Sequence, residues 1–65
     1  MAYVAVDSGG DEYIYSSKPI RNREYQVWGI VFDSQNIELV KGSIEKLIGR
    51  KLTWEDEPVE LKEEK

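Results

Sequence analysis

Within Ile37-Glu38-Leu39-Val40-Lys41-Gly42-Ser43-Ile44-Glu45-Lys46-Leu47-Ile48-Gly49 the apolar spacing changes its period. Ile37 and Leu39 alternate with Glu38 and Val40, the two-residue repeat of a strand with one side inward. Beyond Lys41-Gly42, the residues Ile44, Leu47 and Ile48 fall at the spacing of one helical face. Ser43 is of the type that caps a helix start, Glu45 sits in the first turn, and Gly49 is a natural C′ residue. A helix of about two turns is not stable alone in water. It requires a sheet to pack on, and the class expected is therefore α+β.

Upstream of this stretch the signals are those of strands. Residues 2–7 alternate, with Tyr3 and Ala5 on one side and Val4 and Val6 on the other. Asp7-Ser8-Gly9-Gly10-Asp11 is a turn, and alternation resumes over residues 12–16 with Tyr13 and Tyr15 on one face and Ile14 on the other. Lys18-Pro19 interrupts the ladder, because Pro has no N–H to donate. Residues 19–24 then read as a polar connection. Tyr25 to Phe32, apolar on both faces, reads as a strand covered on two sides. The expected architecture is a small antiparallel meander of about four strands with one short helix on a face. Residues 1–61 form one domain and 62–65 a frayed acidic tail, with Lys51–Trp54 and Pro58–Leu61 as possible extended pieces. The expected core is Val4, Val6, Ile14, Trp28, Ile30, Phe32, Leu39, Leu47 and Ile48.

Composition narrows the chemistry. The 65 residues include no Cys and no His, which removes the ligands of structural zinc, the thiol nucleophile and the commonest base near neutral pH. No catalytic residue, metal site or cofactor is expected. The net charge of −4 lies wholly in residues 55–65, since seven acids balance seven bases in residues 1–54. That distribution argues against sequence-independent nucleic-acid binding. With neither a basic leader nor an apolar run near 20 residues, the expected location is the cytoplasm, with no membrane contact.

The candidate sites are those of a binding protein. Tyr3, Tyr13 and Tyr15 share one sheet face, and if the helix covers the other they form an exposed aromatic surface, suited to recognition or self-association. Arg21 and Arg23, with Lys18, form a basic loop. Glu55, Asp56 and Glu57, beside Trp54, form an acidic hook for a basic partner. Lys41, Gly42 and Ser43 present free N–H groups and a Lys, an arrangement suited to a nucleotide or other small anionic ligand. Gly9-Gly10-Asp11-Glu12 resembles the signature of diguanylate cyclases. Tyr13 stands where that family has Phe, and so short a chain lacks its nucleotide-binding domain, so the four residues read as a turn. Asp7, Asp11 and Glu12 lack EF-hand spacing for a cation.

The run from Ile37 to Val59 resembles short uncharacterised proteins of bacteriophages and mobile elements of gut bacteria, as do Tyr3-Val4-Ala5-Val6-Asp7 and Lys18-Pro19-Ile20-Arg21-Asn22. The resemblance implies no catalytic residue. It implies an accessory protein that binds and inhibits a bacterial host or defence protein, in the cytoplasm of that host. The alternatives are a protein that sequesters a nucleotide or anion at Lys41-Gly42-Ser43 and a structural or oligomerisation domain; a homo-oligomer fits any of them.

Overall fold

A computed structural model describes residues 2–31 and 33–62. Strands β1 (Ala2–Val6) and β2 (Glu12–Tyr15) form the first hairpin, in the register Val4↔Ile14 and Ala5↔Tyr13. Its turn is built by Asp7, whose Oδ1 accepts the N–H groups of Gly9 and Asp11, both at 3.0 Å. Gly10 follows at φ 88°, a conformation open to Gly at no steric cost. Strands β3 (Ile20–Asn22) and β4 (Val27–Gly29) form a second, separate hairpin. Strand β5 (Asn36–Leu39), helix α1 (Ser43–Ile48) and strand β6 (Val59–Leu61) complete the chain. The larger sheet runs β5-β2-β1-β6, antiparallel throughout, so over the described residues the domain is α+β, with six strands in two antiparallel sheets and one short helix.

Three strands of the larger sheet, β1, β2 and β5, are expected ones, and the fourth is β6, from the Pro58–Leu61 piece, rather than Tyr25 to Phe32. Of the stretch expected as that strand, the described residues form strand over Val27–Gly29 alone, outside the larger sheet. Asn22 ends β3 by accepting the N–H groups of Glu24 and Tyr25 on Oδ1, both at 3.1 Å, and Gln26 takes a left-handed φ of 58°. A residue in that conformation stops a strand. The expected polar connection, residues 19–24, holds β3 instead. The place of a central strand goes to β1, flanked by β2 and by the C-terminal β6.

Each face of the sheet carries its own core. On one face Val4, Val6, Ile44 and Leu52 are buried, with Ile14, Leu39, Ile48, Val59 and Leu61 packed around them. Ile44 is the helix residue that seals this layer. Leu47, expected beside it, is half exposed, because so short a helix buries only a narrow stripe. Ile30, also expected in the core, is exposed. On the opposite face Ala5, Tyr15 and Trp28 are buried together, joined by Tyr3, Tyr13 and Trp54. Trp28 is therefore a core residue, but of this second layer. The core position expected at Phe32 and the tail beyond Lys62 lie outside the described residues.

The helix start also differs from expectation. Gly42, at φ 94°, occupies the N-cap, and Ser43 donates its Oγ–H back to Val40 O. Gly49 closes the helix as expected, at φ 82°, with its N–H on Glu45 O at 2.8 Å.

Candidate functional site

The tyrosine face is opposite the helix, as the alternation requires, yet it does not face solvent. The β3–β4 hairpin lies across it. Arg21 and Trp28 pair directly, so both project from the same side of the hairpin, and that side is turned onto the sheet. The Trp28 indole N–H donates to Val6 O at 2.8 Å in a buried bond, and Ser8 N–H reaches Gln26 O at 3.3 Å. Trp54 meets Trp28 edge-on, with centroids 5.4 Å apart. Tyr15 is only 3% exposed, which removes it from any contact surface. Burial, with Tyr13 and Asp7 adding repulsion, pushes its hydroxyl up to about 12. Tyr3 and Tyr13 are partly covered. Tyr13 packs against Tyr15 at 6.0 Å, and its pKa is raised chiefly by Glu38, its cross-strand partner.

Arg21 joins two segments that were read as separate contact sites. Its guanidinium stacks over Trp28 at 4.4 Å and over Trp54 at 4.7 Å. It donates to the carbonyl oxygens of Trp54 and Asp56, and to Glu57 Oε2 at 3.3 Å. The basic loop and the acidic hook thus hold each other. Asp56 is committed further, since its Oδ2 accepts the Thr53 N–H at 2.8 Å. Of the basic loop and the acidic hook, Lys18, Arg23 and Glu55 are exposed, and no ion pair engages any of the three among the described residues.

The loop Lys41-Gly42-Ser43 already has an anion in place, and it belongs to the chain. Glu12 accepts the Gly42 N–H on Oε2 at 2.8 Å and the Ile44 N–H on Oε1 at 2.9 Å. The open recess beside it, about 380 Å³, is lined by Lys41 and Lys51 but equally by Glu12 and Glu45. The Gly42 and Ile44 N–H groups are thereby spent, and the Ser43 N–H donates to Val40 O at 3.0 Å. Among the described residues no group of three or more acidic side chains is close enough to hold a metal ion, and no helix is long and apolar enough to cross a membrane.

What the fold leaves open is the outer side of the second hairpin. With Arg21 and Trp28 turned inward, Ile20, Asn22 and Val27 point outward, and Ile20 and Val27 are diagonal neighbours there. Ile20 is 61% exposed, and Tyr25, in the connecting loop, is 71% exposed. Arg23 lies in the same loop and Lys18 just before the hairpin. None of Ile20, Val27 and Tyr25 belongs to a candidate site read from the sequence. A signal was present: the loop pairs an aromatic with an arginine. No protein family, curated protein or solved structure matches this chain.

Proposed function

We propose that this chain is a non-enzymatic binding protein of phage or mobile-element type, acting in the cytoplasm of a bacterial host, which docks on a host or defence protein and blocks it. One observation carries the reading: the β3–β4 hairpin is locked on its inner side and bare on its outer side. A rigid finger presenting Ile20, Val27 and Tyr25 loses little conformational freedom on binding, and freedom lost is a principal cost of association. Aromatic and arginine side chains are those most enriched where binding energy concentrates. The fitting partner surface is an apolar groove with an acidic rim, placed to meet Arg23 and Lys18. The absence of Cys and His supports a role without chemistry.

The test is capture from a bacterial lysate on immobilised protein. One discrete protein should be retained, its binding weakened more than about tenfold by Tyr25→Ala or Val27→Glu and unchanged by Tyr13→Ala. A protein held equally by all three variants, or none held by the parent, would contradict the reading. Nothing favours sequestration of a small anion, because Glu12 holds the N–H groups such a ligand would need.

A further inference from the structure

Strand β5 closes one side of the larger sheet, and its register with β2 shows which of its backbone groups are spent. The Ser16 N–H donates to Gln35 O at 2.9 Å, one step beyond the pair Tyr15↔Asn36. Hydrogen-bonding positions alternate along an antiparallel pair. Ile37 and Leu39 therefore turn N–H and C=O toward β2, while Asn36 and Glu38 turn theirs outward. Among the described residues no strand pairs with that edge. Ile37, on the helix side of the sheet, is 67% exposed.

We propose that this edge binds a second copy of the chain, β5 against β5, antiparallel about a two-fold axis through Ile37. The strand is self-complementary there. Centred on Ile37, the pairing sets Asn36 opposite Glu38 of the second copy, and the outward N–H and C=O groups of both residues all find partners. The two Ile37 side chains meet across the axis, extending the apolar layer under the helix. Registers centred on Asn36 or on Glu38 pair only one outward strand residue with its own copy, and the second also places two carboxylates directly opposite one another, a destabilising arrangement. The axis stands perpendicular to the sheet, so the product is a continuous eight-stranded sheet with both helices on one face and both β3–β4 hairpins on the other. Four-residue strands make a small contact, and the dimer is accordingly weak and concentration-dependent.

Two measurements test this. Sedimentation equilibrium should show the mass rising from monomer toward dimer with concentration. Ile37→Lys, at an exposed site that should leave the fold intact, should weaken association by about tenfold or more by placing like charges across the axis. The second measurement is oxidative crosslinking, which needs no correction for native thiols because the chain has none. In the proposed register Ile37→Cys brings two Cα atoms to about 4.5 Å, within disulfide reach, whereas Glu38→Cys leaves them more than about 7 Å apart. Rapid crosslinking of Ile37→Cys alone supports the proposal. A parent chain monomeric up to about 1 mM, undiminished association of Ile37→Lys, or faster crosslinking of Glu38→Cys would each overturn it. Tyr25→Ala lies outside this contact and should leave the dimer unchanged, which separates this proposal from the docking role of the hairpin.

Discussion

Arg21 has two indole rings for walls and two backbone carbonyls for a floor, and no other residue type fills that space equally well. The planar guanidinium stacks on aromatic faces and donates in a fixed fork, while an ammonium does neither. Its side chain is 12% exposed, whereas that of Glu57, its ion-pair partner, is 78% exposed. The stacking and the carbonyl bonds therefore outweigh the salt bridge, since exposed pairs contribute little. We predict that Arg21→Lys costs about 1–3 kcal/mol, while Glu57→Gln costs less than about 0.5 kcal/mol. Urea denaturation of the two variants checks the ranking, and equal losses would contradict it. Tyr15 gives a second residue-scale prediction. Its hydroxyl titrates near 12 when folded and near 10 when unfolded. With the folded pKa raised, its contribution to stability is complete below pH 10 and is lost as pH rises from 10 to 12, because the unfolded chain releases its proton first. Tyr15→Phe should flatten stability across that window in alkaline titrations followed by circular dichroism. An unchanged profile would show that Tyr15 is not the group responsible.

At the scale of elements, the sequence was legible where pattern and punctuation agreed. Alternation on either side of Asp7-Ser8-Gly9-Gly10 announced β1 and β2, and Ile44, Ile48 and Gly49 announced the helix. The second hairpin was hidden for a physical reason. Its inward residue on β3 is Arg21, which any polarity pattern turns toward water, and which is covered here by its cross-strand partner Trp28 and by Trp54, 33 residues away in sequence. The candidate site was misplaced for the same reason: alternation alone leaves a tyrosine face free, and the hairpin that covers it carries no polarity signal. The capping of α1 was likewise invisible, since Glu12 is distant from Gly42 in sequence and a serine stood at the expected position. Glu12→Ala should cost about 1–2 kcal/mol, because two helix-start N–H groups lose a charged acceptor. Ser43→Ala removes only a surface bond to Val40 O and should cost about 0.5 kcal/mol or less. Thermal denaturation of both variants decides between them, and the reverse order would show that Ser43 is the cap after all.

For the molecule as a whole, a chain of 65 residues without disulfides must bury surface economically. It does so by covering both faces of one four-stranded sheet, with α1 and Leu52 on one side and the β3–β4 hairpin and Trp54 on the other. The second cover has two roles, for its inner side completes the core and its outer side is the surface proposed to meet a partner. Both roles depend on the hairpin staying docked as firmly as the sheet itself. Hydrogen exchange of the Trp28 indole N–H, followed by NMR, measures that directly, because this group is bonded to Val6 O beneath the hairpin. The structure predicts that it exchanges only on global unfolding, with protection equal to that of the slowest amides of β1 and β2. Exchange at the rate of a solvent-exposed indole, while those amides remain protected, would mean that the hairpin is undocked and the tyrosine face open.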